Sequence, residues 1–196
     1  MARRASAPVQ LPSLEQIEQE RKRLNYKHTY QKALAGTIYA LLIVAACAVL
    51  IATLFLPVLQ ISGTSMEPTL FDGDVVLLIK NNRYERGELC SFAYENKYLV
   101  KRIIGIPGDV IETDHDGNVY VNDEKLDEPY VIDKALGECD IEFPYQVPDG
   151  KYFFMGDQRA TSIDSRSSVV GCISKDQIIG RVFLRIWPLK ELSLIV

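Results

Sequence analysis

The stretch SGTSMEPTL, residues 62–70, places Ser65 among small residues, with Gly63 two positions before it and Pro68 three after it. Small hydroxyl residues beside glycine form turns, and they can also hold a nucleophile where another backbone can approach. A serine hydroxyl is a weak nucleophile at its ordinary pKa and needs a base. His28 and His115 are the only histidines. His28 precedes a long apolar run and His115 lies in the polar turn HDGN, so the base has to be another residue type. Lys101 lies in YLVKRIIGI, a run of β-branched and apolar residues. Strand alternation puts it on the side of Leu99 and Ile103, with Val100 and Arg102 opposite. An amine packed among apolar groups loses the solvation of its charged form, so it can serve as a neutral general base. The bland alternatives are a capping or turn serine at 65 and a solvated edge-strand lysine at 101.

A third stretch, MGDQRATSIDSR at 155–166, concentrates Asp157, Arg159, Asp164 and Arg166 around Ser162 and Ser165. Such charges can be buried only when paired and hydrogen-bonded, and a paired set could hold a lysine in place. A solvated loop is the competing reading.

These residues need elements to position them. The chain has 196 residues, enough for one domain plus an anchor, and a net charge of -4 with no dense Lys/Arg block late in the chain, so no nucleic-acid partner is expected. From Ala33 to Met66 no residue is charged. The apolar segment 33–59 exceeds the ~20 residues that cross a bilayer as a helix. Arg3, Arg4, Arg21, Lys22, Arg23, Lys27 and Lys32 precede it, whereas Glu67, Asp72 and Asp74 follow. The positive-inside bias therefore predicts a cytoplasmic N-terminus, a single span and everything after Pro57 outside. Residues 1–32 are expected to be a cytoplasmic segment, loose over 1–13 and helical over 14–32. A cleaved secretory signal, or processing at the VAAC box of residues 44–47, is the rival reading.

After the span, short β-type runs alternate with turns: 74–80, 88–94, 97–106, 109–114, 118–122, 151–157, 168–173 and 178–187. SKDQ, 174–177, reads as a helical turn, and 123–149 as an irregular loop or insert. The fold class is mainly β. Cys47, Cys90, Cys139 and Cys172 form no CxxC pair, so no metal is expected and their pairing stays open.

Taken together, the three blocks in this order behind one span resemble the bacterial type I signal peptidases, membrane-anchored serine proteases with a Ser-Lys dyad. The likeness covers roughly residues 35–188. It implies an antiparallel β catalytic domain over 60–196, with a smaller inserted β region near 107–150, behind the anchor at 33–59. It implies Ser65 as nucleophile and Lys101 as base, with Ser162 hydrogen-bonding the lysine. Asp164 with Arg166, and Asp157 with Arg102, match the family's charge pairs. The Ser65 N–H matches one oxyanion donor. Some members have a serine where this chain has Gly63, so the resemblance leaves the second donor to a backbone N–H, that of Gly63 included, or to Thr64. Gln158 and Ala160-Thr161 depart from the family pattern beside the matched residues.

The resemblance further implies an extended substrate lying along Ile61–Gly63 and Tyr98–Val100, with Ile61, Met66, Leu70, Leu99 and Val100 lining shallow pockets for small residues. Its substrates would be preprotein signal peptides cut after an A-x-A-like site, its surroundings the lipid bilayer near the secretion translocon, and its cofactors none. Seven residues separate Pro57 from Ser65, a tether of at most ~25 Å. Three rivals remain: a self-cleaving repressor-type Ser-Lys domain, a tethered β module that only binds a partner, and a paralogue serving few substrates. The first needs a DNA-binding module, and no helix-turn-helix is legible here.

Overall fold

The computed structural model describes residues 13–195. Helix α1 runs Leu14–Phe55. Its start is a reciprocal cap: Gln16 N–H donates to Ser13 Oγ at 3.3 Å and Ser13 N–H donates to Gln16 Oε1 at 3.0 Å. The described helix side chains are exposed, and by length and composition the helix is long and apolar enough to cross a membrane. The helix ends before the apolar run 33–59 does. Pro57 disfavours helical backbone at the residue before it, so the helix stops at Phe55 and Val58–Gln60 pair as a strand instead. Of the segment expected to be loose, residues 1–12 lie outside the described residues.

The strands lie within a second unit, Ala52–Val196. They are β1 (Val58–Gln60), β2 (Val75–Ile79), β3 (Leu89–Tyr94), β4 (Lys97–Gly105), β5 (Val110–Thr113), β6 (Val119–Val121), β7 (Glu124–Lys125), β8 (Tyr145–Gln146), β9 (Lys151–Met155), β10 (Ile173–Ser174), β11 (Ile178–Trp187) and β12 (Ser193–Leu194). Eight form one sheet in the order β1-β2-β11-β3-β4-β9-β10, with β12 on β11. Four form a second sheet, β7-β6-β5-β8. The described pairings are antiparallel. The fold is mainly antiparallel β behind an N-terminal helix.

Strand β9 shows why its sequence, KYFFM, does not alternate. Tyr152 and Phe154 enter one core cluster with Phe92 and Ile103, while Phe153 and Met155 enter another with Ile111 and Val147. The strand is a wall shared by two cores, so both faces are apolar. Gly105, on β4, packs tightly against Ile111 of β5 and Val147. A Cβ there would lie 2.8 Å from Ile111 Cδ1 and 2.9 Å from Val147 Cγ2.

One predicted strand, 168–173, is mostly a turn. Val170 and Gly171 N–H groups both donate to Ser167 O, and Gly171 takes a φ of +59°. Asp140 further holds Ser168 by its hydroxyl and its N–H. Local hydrogen bonds outcompete the ladder there, and only Ile173 joins β10. The KDQ turn, Lys175–Gln177, is a short 3-10 helix. All four cysteines are free thiols.

Phe154 is fully buried and its ring centroid lies 4.8 Å from that of Phe92. Phe154→Ala is expected to cost about 3–5 kcal/mol, read as a lowered denaturation midpoint of the full chain in detergent.

Candidate active site

Ser65 stands in the turn that leads from β1 to β2. The turn is pinned at its base: Ile61 N–H donates to Asp74 O at 2.7 Å and Gly73 N–H donates to Ile61 O at 3.0 Å. Inside it, Glu67 N–H donates to Thr64 O and Leu70 N–H to Met66 O, both at 3.0 Å. Gly63 adopts a φ of +92°, a left-handed conformation that glycine takes without steric cost. The Met66 side chain is buried under the turn in the core with Ile61 and Leu70. This anchoring leaves Ser65 half-buried at the turn's surface.

Lys101 comes from the middle of β4, paired across to Cys90 of β3. It is only 3% exposed, so the solvated edge-strand reading fails. Its Nζ lies 2.5 Å from Ser65 Oγ. Burial is the largest influence on the amine and brings its pKa down from the usual lysine value to about 8. Asp164 and Asp157 oppose that fall, while Arg166 assists it.

Behind the pair lies a fully buried charged shell. Arg102 grips Asp157 through Nε at 2.9 Å and Nη2 at 2.6 Å, and Thr69 donates its hydroxyl to the same carboxylate at 2.5 Å. Arg166 grips Asp164 through Nε and Nη2, each at 2.8 Å. Asp164 also accepts the Gly156 N–H at 2.9 Å. A third pair, Arg159 with Glu128, is equally buried. Each guanidinium faces one carboxylate, so the shell is charge-balanced, as burial requires. Gln158 N–H donates to the Ser65 carbonyl at 3.1 Å, which ties the 155–166 loop to the serine itself.

A groove runs past the pair, lined by Leu59–Ser62 with Ser65 and Met66 on one side and Tyr98–Lys101 on the other. β1 pairs only with β2, and β4 meets β9 only from Arg102 onward. Among the described residues, the two strand edges that border the groove therefore carry unpaired backbone groups. That is the geometry an extended peptide fills by strand addition.

A family model described as signal peptidase, peptidase S26, matches residues 34–187. The chain belongs to this family. It is similar to signal peptidase I of Bacillus amyloliquefaciens, 35% identical over 177 residues, with 85% of this chain and 95% of the relative covered. Signal peptidase IB of Staphylococcus aureus (strain Mu50 / ATCC 700699) is 39% identical over 151 residues, covering 67% of this chain and 78% of its own. A crystal structure of a signal peptidase I from Enterococcus faecalis V583 is 26% identical, covers 52% of this chain and 97% of its own, and gives a TM-score of 0.43. The protein is thus a serine peptidase, a hydrolase of peptide bonds.

In this S26 peptidase, Ile61, Met66, Leu99 and Val100 line the groove. Leu70 does not: it is fully buried in the core beside Val76 and Leu78, because the helical turn after Met66 rotates it inward. Gly63 is corrected as an oxyanion donor, since its N–H already donates to Asp72 Oδ1 at 2.8 Å. Thr64 is exposed, and among the described residues the Ser65 N–H donates to no protein group. Ser162 is buried beside the site, but its Oγ has no hydrogen-bond partner among the described residues, so the expected bond to Lys101 is not made. The lysine reaches Ser65 instead.

The sequence reading placed Arg159 in the charged set without a partner, and gave no role to Thr69, Gly156, Glu128 or Tyr130. Thr69 and Gly156 lie inside the quoted blocks, so their position was a signal, whereas Glu128 and Tyr130 lie in the stretch read as irregular.

Gly156 has no room for a side chain. A Cβ there would lie 2.2 Å from Ser162 Oγ and 2.6 Å from the Ser65 carbonyl oxygen. Gly156→Ala is expected to displace the serine's turn and lower kcat by about 100-fold, measured by steady-state peptide cleavage.

Proposed function

We propose that this peptidase removes signal peptides from secreted preproteins, with Ser65 as nucleophile and Lys101 as neutral general base. The observation that carries the reading is the 2.5 Å approach of a buried lysine amine, its pKa lowered to about 8, to a serine hydroxyl at the edge of an open groove. Family membership supports the substrate class: the relatives named above are signal peptidases.

The preprotein lies extended in the groove, bonded through its backbone to the free edges of β1 and β4. Small residues at the first and third positions before the cut fit against Ile61, Met66, Leu99 and Val100. Ser65 Oγ attacks the scissile carbonyl carbon as its proton passes to Lys101 Nζ. The carbonyl oxygen becomes an oxyanion, for which the free Ser65 N–H is a donor and the Thr64 hydroxyl a candidate second donor. The Lys101 ammonium then gives its proton to the leaving nitrogen, and the C–N bond breaks to leave an ester on Ser65. A water, deprotonated by the same amine, attacks the ester and restores the serine. The pairs Arg102–Asp157 and Arg166–Asp164 hold the strand and loop that carry the lysine and its neighbours. Ser162 packs beside them with its hydroxyl unused in the resting enzyme.

The apolar helix serves as a membrane anchor. The excess of Lys and Arg before it and of carboxylates after it favours a cytoplasmic N-terminus, with the catalytic unit outside and within reach of the translocon's exit.

Full-length enzyme in detergent is expected to cut a reporter preprotein after an A-x-A site. Ser65→Ala and Lys101→Met should each lower kcat/KM by on the order of 10^3-fold or more. Retention of cleavage by Lys101→Met would remove the lysine from the mechanism.

The pH dependence follows from the sign of the lysine's shift. A base works only when unprotonated, so kcat/KM should climb tenfold per pH step below about 8 and level off above it. An acid limb centred near the ordinary lysine value would show that burial does not tune this amine.

A further inference from the structure

Between β7 and β8 the chain leaves the second sheet and presses against the charged shell behind Ser65. Glu128 is 5% exposed, and its carboxylate accepts from both Nη1 and Nη2 of Arg159. Arg159 is completely buried, and its Nε donates to the Gly156 carbonyl at 3.2 Å. Two residues of this loop touch the nucleophile's backbone: Gly156 through its tight packing on the Ser65 carbonyl, and Gln158 through its N–H. Tyr130 completes the brace. Its hydroxyl donates to Glu128 Oε1 at 3.3 Å, and its ring lies 3.7 Å from the guanidinium carbon of Arg102, which grips Asp157. Farther along the same segment, Leu136 O accepts from Arg166 Nη1 at 2.6 Å, and Gly137 packs where a Cβ would strike Arg159 O. One segment thus supplies a contact to each of the three buried arginines.

We infer that Glu128 is a positioning residue for the peptidase reaction: through Arg159 it fixes the 156–158 backbone that holds Ser65 in line with Lys101. The inference rests on the Ser65–Lys101 reading. A buried ion pair gives little net stability over a well-packed apolar pair. What the two-pronged guanidinium–carboxylate contact supplies is direction, because the fork fixes the plane of Arg159 and hence the aim of its Nε at Gly156. The energy of the pair is spent on geometry next to the nucleophile.

The test uses full-length wild type, Glu128→Gln and Arg159→Lys in detergent, with kcat and KM for a reporter preprotein across pH 6.5–10 and a thermal unfolding curve for each. Arg159→Lys keeps a positive charge opposite Glu128, so the fold is retained, but one ammonium cannot serve both carboxylate oxygens and Gly156 O. Both variants are expected to lose kcat about 10- to 100-fold with KM within about twofold of wild type. The deficit should persist at pH 10, where Lys101 is neutral, because alignment and not proton affinity is what is lost. Wild-type kcat per folded molecule in Arg159→Lys overturns the proposal, as does a deficit that disappears at pH 10. Should Glu128→Gln not fold, Arg159→Lys decides alone. Wild type that cuts no preprotein would overturn the dyad reading and this inference together, an outcome distinct from a failure in the variants only.

Discussion

The structure depends on keeping one amine out of water. Lys101 can act as a base near neutral pH only if its charged form is poorly solvated, and that requires a wall of protein around a strand residue whose side chain would otherwise reach solvent. β4 pairs with β3 along one edge and with β9 from Arg102 onward on the other, and the packing around it leaves Lys101 only 3% exposed. The same burial creates a difficulty. Asp157 and Asp164 lie near enough to favour the ammonium and would undo the effect if left bare. Their bidentate pairing with Arg102 and Arg166 answers it: each carboxylate is neutralised by a guanidinium that also satisfies its lone pairs.

Openness toward substrate has a separate origin. A strand end that stops pairing early is an aggregation liability in most folds. Here the unpaired edges of β1 and the first half of β4 face each other across the groove, and Ser65 sits on the turn at its end. An extended polypeptide laid in this gap would supply the missing hydrogen bonds. In the proposed reading, recognition would rest on backbone and on small side chains, with little demand for a specific polar contact.

The second sheet, too small to hold the site, contributes through the segment that leaves it. Residues 128–137 carry a carboxylate, an aromatic ring and two carbonyls to the buried arginines. The charged shell is consequently assembled from three distant parts of the chain: β4, the 155–166 loop and this segment. None of the parts could bury its charges alone.

Much of this was legible in the residues. An uncharged apolar run of helical length, strand runs between turn signals, and a serine, a lysine and a polar block in fixed order are local patterns with local physical causes. They led to the helix, to most of the strands and to the residues that meet at the groove. Partnership was not legible. Ser162 lies beside the site with its hydroxyl unpaired, Gly63 gives its N–H to Asp72, and Leu70 turns into the core; each outcome is set by angles that a one-dimensional pattern does not carry. The run 168–173 looked like a strand because apolar β-branched residues score the same in a turn that side-chain hydrogen bonds have captured. Glu128 and Tyr130 gave no signal, since a buried charge looks like a surface charge until the residue 31 positions away that neutralises it is brought into contact. The sequence by itself determined which elements form and which groups could react. Tertiary structure alone decided which of those groups lose their water and find a partner, because burial and hydrogen bonding are properties of pairs brought together by the fold.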